Sequence, residues 1–167
     1  MGKFIAGIVF AVVAFCLAMI VYTYFGYMPV NADVSPGKIE TYFAGHGMDA
    51  SVEHHAPKLT NPIQPTEENL MAGMLIYSMN CAQCHGAPNR KLTLGDGTYP
   101  PAPQFAEDPP DLPDYQNYWI VKHGIRYTAM PAWGKLLSDT DLWKVTTFLA
   151  NWKKLPPAMK SKFENPQ

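Results

Sequence analysis

Cysteine is scarce in this 167-residue chain: there are three, too few for a disulfide scaffold. Cys81 and Cys84 stand together as C-x-x-C and no second pair exists, which excludes a closed four-cysteine zinc site. Charge is thin as well. Charged residues make up 16% of the chain and the formal net charge is -1, so nothing points to a nucleic-acid partner. Also missing are an internal repeat, a phosphate-binding loop, a pair of carboxylates and a nucleophile triad. An enzyme built on side-chain chemistry alone is therefore disfavoured. Proline, by contrast, is abundant. Sixteen prolines are about twice the usual share and argue for long ordered loops.

Charge is absent from one region in particular. Residues 4–25 carry no charged or strongly polar side chain, and Lys3 is the one charge before Val30. The remainder holds 12 basic and 14 acidic residues, a nearly balanced exported part. At about 1.5 Å per residue, a helix over this run crosses a hydrocarbon core of roughly 30 Å. Tyr22, Tyr24, Phe25 and Tyr27 gather at its far end, as aromatic rings do at a membrane interface. Lys3 favours a cytoplasmic N-terminus. A cleaved signal peptide is the competing reading, and Val30-Asn31-Ala32 has the small-residue spacing of a cleavage site. The run exceeds the roughly 7–15 apolar residues of a signal sequence, which favours a retained anchor over residues 1–30. Cys16 is read as a small apolar residue facing lipid.

Residues 31–64 read as an extended tether, with a turn at Ser35-Pro36-Gly37 and a short helix or surface turn over 39–44. His46, His54 and His55 fall in it without a cysteine or carboxylate at ligand spacing, so a solvated tether is preferred to a metal site. A folded domain is expected over 65–156, followed by a C-terminal tail at 157–167. Thr66 caps a first helix carrying Leu70, Gly73, Met74 and Tyr77 toward Cys81. A second helix is expected over 115–123, stopped by Gly124. A third starts after Ser138 and shows Leu142, Val145, Phe148, Leu149 and Trp152 on one face until Pro156-Pro157. Residues 86–113 show neither helical nor strand period.

Cys81-Ala82-Gln83-Cys84-His85 is C-x-x-C-H, the attachment signature of c-type haem. Two thiols three residues apart on one turn reach the two vinyl groups of a porphyrin edge, and the next imidazole meets the iron. A redox dithiol is the rival reading, but that motif follows a strand, whereas this pair follows a helix. Export also fits, because this haem is attached outside the cytoplasm. For the sixth ligand, Met130 lies in the loop before the third helix, 45 residues beyond His85. Its soft thioether holds reduced iron and raises the potential relative to a second imidazole. Pro131 stiffens the chain beside it. His123 is the rival, and core packing is the bland alternative for Met130.

On Gly73 and Tyr77, Cys81, Cys84 and His85, Thr128-Ala129-Met130-Pro131, and Leu142 through Phe148-Leu149, the chain resembles the class I cytochrome c family. The resemblance covers roughly residues 65–156, and the nearest look-alikes are membrane-tethered single-haem bacterial cytochromes. It implies an all-α fold in which the first and last helices cross, with Gly73 allowing close approach and Tyr77 and Phe148 packing at the crossing. It implies one covalent haem c and a proline carbonyl, Pro100 or Pro101, orienting the His85 ring. Arg126, Tyr127 and Trp133 are candidate propionate partners, with plain exposure as the alternative for Arg126. Lys91, Lys122 and Lys135 could steer acidic partners, or be scattered surface lysines.

The expected function is one-electron transfer, not enzymatic turnover, between redox complexes of a bacterial inner membrane, with the haem domain on the periplasmic side. A fixed haem subunit of a larger oxidoreductase is the alternative. A ligand-binding haem sensor or enzyme is a weaker third.

Overall fold

The computed structural model describes residues 1–88 and 93–164; Lys91 lies outside them. The chain divides into two units, Met1–Asn31 and Ala32–Gln167. All regular structure among the described residues is helical.

The first unit is helix α1, Gly2–Tyr24, which is long and apolar enough to cross a membrane. Phe25 and Tyr27 return backbone bonds to Val21 and Tyr22, and the Tyr22 and Tyr27 rings stack at 6.2 Å.

In the second unit, α2 spans Lys38–His55, where an extended tether was expected. Two observations correct that reading. Val52 and Ala56 are buried, and Asn61 donates to Asp114 Oδ2 at 2.8 Å and Thr147 Oγ1 at 3.0 Å. Tyr99 also donates its hydroxyl proton to Glu40 at 2.6 Å. The helix escaped notice because its apolar residues are split. Val52 and Ala56 face inward while Ile39, Tyr42 and Phe43 face out, so no single stripe recurs at the helical period.

Helix α3, Glu67–Asn80, begins at Thr66, whose hydroxyl accepts from Asn69 N at 3.3 Å; Glu67 and Glu68 suit the positive end of the helix. Helix α5, Asp114–His123, stops at Gly124, where φ is +66°. Helix α6, Asp139–Ala150, starts at Ser138, which accepts from Asp141 N at 3.2 Å.

Helices α3 and α6 meet at Gly73. A β-carbon there would collide with the Lys144 carbonyl oxygen and lie 2.8 Å from Phe148 Cβ. One turn on, the fully buried Tyr77 packs its ring 5.6 Å from Phe148 and 5.1 Å from Trp152.

The expected C-terminal tail is a second correction. Pro157–Glu164 forms helix α7, and its Met159 and Phe163 are buried in the same core. α6 already ends at Ala150, and Pro157, instead of only barring a helix, is well suited to the first turn of a new one. Phe163 lies 5.8 Å from Tyr77 and 5.4 Å from Phe148, so the aromatic cluster is completed from beyond residue 156.

Candidate functional site

Helix α3 hands the chain directly to a single turn, α4, Ala82–His85. Cys84 N and His85 N both donate to Cys81 O, at 3.0 and 2.9 Å, which puts both thiols and the imidazole on that turn. Both thiols are free. Burial, with Cys84 adding to it, pushes the Cys81 thiol up to about 12. A redox dithiol needs the opposite, a depressed thiol that is ionised at neutral pH.

His85 is held from three sides. Its Nδ1 lies 3.0 Å from the Pro103 carbonyl oxygen, its ring stacks on Phe105 at 4.3 Å and 9°, and its carbonyl accepts from Phe105 N at 2.9 Å. Burial lowers its pKa and the Pro103 bond partly offsets that, so the ring is favoured neutral. With Nδ1 as donor to a carbonyl, Nε2 keeps its lone pair, which is what a metal-ligating imidazole requires.

The orienting carbonyl is thus Pro103, not Pro100 or Pro101. The Pro100 carbonyl is engaged by the Thr98 hydroxyl at 3.0 Å, and Ala102 N is drawn to Gly95 O at 3.0 Å, which leaves Pro103 to reach the ring.

The turn is braced by Tyr77 and by two residues that the sequence reading missed. Thr93 and Gln104 both donate to Cys84 O, at 3.0 and 2.9 Å, and Tyr77 donates to Gly86 O at 2.6 Å. Gly95 lets this brace close: a β-carbon there would collide with Cys84 O and sit 2.7 Å from Ala102 Cβ. A glycine before Asp96 was a faint signal; nothing in the sequence singled out Phe105 or Gln104.

Met130 sits in a loop closed by its own bonds. Its carbonyl accepts from Ile125 N at 3.2 Å, and its N–H donates to Thr128 Oγ1 at 3.1 Å. Gly124 permits the return: a β-carbon there would lie 2.7 Å from Met130 O and 2.6 Å from the Pro131 carbonyl carbon. Cys81, Phe105, Met130 and Trp133 all pack against the one buried core.

The remaining site residues are less converged. His123, the rival ligand, is exposed at the end of α5 with its ring 5.0 Å from Trp119. It lines, with Arg126, Trp119, Met48, Ser51 and Val52, a cavity of about 430 Å³ between α2 and α5. Tyr127 is 92% exposed and has φ +61°, so it lies on the outside of the loop. Lys122 is not a free steering charge. Its ammonium donates to Asp139 at 2.7 Å and to the Tyr118 hydroxyl at 3.0 Å. Among the described residues no three His, Cys, Asp or Glu side chains gather as they would for a metal ion. The His54 and His55 rings lie 4.8 Å apart without a third partner.

A turn bearing two free thiols and an oriented imidazole, on helices crossing at a glycine, defines a class I c-type cytochrome. Residues 68–149 match the family model described as cytochrome C oxidase, cbb3-type, subunit III, and over that span the chain is such a cytochrome. Comparison with curated proteins and with solved structures finds no match. The domain implies haem c and electron transfer, and as such is an electron carrier. The residues fit the group: the thiols are unpaired and one imidazole nitrogen is committed to a carbonyl while the other is spare.

Proposed function

We propose that this protein carries one electron at a time through a single haem c ligated by His85 and Met130, on a membrane-anchored domain. Cys81 and Cys84 would form the two thioether bonds. When bound, the haem supplies a couple between ferric and ferrous iron. The protein's part is to keep that couple free of side reactions. His85, held through Nδ1 by Pro103 and flat against Phe105, keeps its ring from rotating. The hydrogen-bonded loop from Ile125 to Met130 holds the thioether side with little freedom. Held by both His85 and Met130, the iron would offer no vacancy for substrate. Arg126, Tyr127 and Trp133 remain candidate propionate partners.

The observation that carries this reading is the His85–Pro103 contact beside two free thiols. The test is the visible spectrum of purified protein, oxidised and reduced, with and without carbon monoxide. The expected outcome is a covalently retained haem, a sulfur-to-iron band when oxidised, and indifference to carbon monoxide when reduced. Pigment released by acid into organic solvent would refute covalent attachment. Prompt stoichiometric carbon monoxide binding at neutral pH would refute the second axial ligand.

Helix α1 supports a single-pass anchor, over residues 1–30 as read from the sequence. We place the haem domain on the periplasmic side of a bacterial inner membrane, because thioether attachment takes place outside the cytoplasm. Its donors and acceptors would be redox complexes in that membrane. A second reading, a fixed haem subunit, is favoured by the family description, which names an oxidase subunit. Extraction in mild detergent separates the two: a shuttle migrates alone, a subunit with its complex.

A further inference from the structure

We propose that Ile39, Tyr42 and Phe43 on α2 form a lipid-contact face that sits in the interfacial layer of the membrane spanned by α1. This rests on the reading of α1 as a retained anchor.

The face is set apart by what surrounds it. Ile39 is 76% exposed, Tyr42 57% and Phe43 70%, although all three lie in the first two turns of a regular helix. Their spacing puts them on one side, and the inward side of the same helix is already committed through Val52 and Ala56. Glu40, the acid among them, is turned to the Tyr99 hydroxyl at 2.6 Å. On the side of Ile39 this leaves two rings and a branched aliphatic chain, with Lys38 and Thr41 exposed elsewhere on the same turns. Tyr42 lies edge-on to Phe43 at 5.5 Å and tilted over His46 at 4.3 Å.

Two arguments choose lipid as the occupant. The first is reach. Only the 13 residues from Phe25 to Gly37 separate the end of α1 from α2. Such a segment spans about 45 Å at full stretch and about 20 Å on average. At that average span the start of α2 stays within about 20 Å of the point where the chain leaves the bilayer. Val30 and Val34, exposed within that segment, continue its apolar character toward the membrane.

The second is area. Three such side chains bury at most about 500 Å², below the roughly 800 Å² per partner of a stable protein interface. Shallow insertion into the headgroup layer needs no such area, and it suits a tyrosine with an apolar ring and a polar tip.

Because α2 is tied to the haem domain by the Glu40–Tyr99 bond, by buried Val52 and, just beyond it, by the bonds of Asn61, seating this face would hold the domain in one attitude to the bilayer. The non-helical connection is then 25–37, shorter than the extended tether expected over 31–64.

The test uses full-length haem protein in phosphatidylcholine vesicles, with Cys16→Ser and a nitroxide label at Phe43→Cys. Collision with oxygen, which partitions into lipid, is compared with collision with a water-soluble nickel chelate. The control label is Glu107→Cys on an exposed loop of the same domain. The expected result is an oxygen-to-nickel ratio several-fold higher at position 43 than at 107. Equal ratios would overturn the proposal. Shielding from both reagents would overturn it too, since a second protein would then cover the face. Ile39→Cys repeats the reading if the first variant matures poorly. Flotation of unlabelled protein with the vesicles after an alkaline wash separates the two failures. Protein that floats with a water-exposed position 43 refutes only the lipid face, and protein that does not float refutes the anchor on which it rests.

Discussion

Replacing Gly73 by alanine adds one methyl group at the point where α3 and α6 touch. That methyl would meet the Lys144 carbonyl oxygen and lie 2.8 Å from Phe148 Cβ. One of these atoms is main chain and the other is bonded directly to it, so neither clash is relieved by a rotamer change; the helices themselves must separate. Forcing extra volume into a close-packed core costs about 1–3 kcal/mol. Alanine in place of glycine returns about 0.5–1 kcal/mol within a helix. Here the clash is with backbone at the centre of the packing, so the upper part of the range applies and a net loss of about 1–2 kcal/mol is expected. Separation would also loosen Tyr77, Phe148 and Trp152, whose rings share that crossing. For a domain of this size the loss corresponds to a fall in Tm of roughly 4–10 °C. The assay is urea unfolding of the oxidised haem protein in detergent, followed by circular dichroism of the haem band so that α1 does not contribute. A Gly73→Ala variant within about 0.5 kcal/mol of wild type would refute the close approach, since that is the scale of a neutral surface change.

Met130→Ala should keep its haem, lose the sulfur-to-iron band, fall in reduction potential and bind carbon monoxide; a persisting band would point to another sixth ligand. Tyr77→Phe removes a buried donor to the Gly86 carbonyl and should cost about 1–2 kcal/mol in the same unfolding assay. Hydrogen bonds from Lys122 and then Tyr118 hold the Asp139 carboxyl below its ordinary value of 3.8. That stabilisation is present above the ordinary carboxylate range and is lost as pH falls through and below it. Unfolding midpoints measured from pH 6 to pH 3 should therefore drop less steeply in Asp139→Asn, and an unchanged slope would show that the pair contributes nothing. The raised Lys122 has the opposite sign: its share is present below 10.5 and lost as pH rises beyond it.

Much of the site was legible in the chain because its signals are local. C-x-x-C-H puts its donors on one turn by spacing alone. Thr66 and Ser138 announce helix starts because a capping hydroxyl acts within three residues. Gly124 and the charge-free stretch before Phe25 are equally short-range statements. What the sequence by itself determined, then, is the attachment turn, the methionine loop, the helix starts of the haem domain and the apolar α1. Only the tertiary structure decided that Pro103 rather than a neighbouring proline orients His85, because that choice depends on how the loop is folded by its own bonds, Thr98 to the Pro100 carbonyl and Ala102 N to the Gly95 carbonyl. Only it decided that residues 38–55 and 157–164 are packed helices. Their apolar residues are few or divided between two faces, and such segments become helical by finding a surface to bury against, a partner that lies far away along the chain.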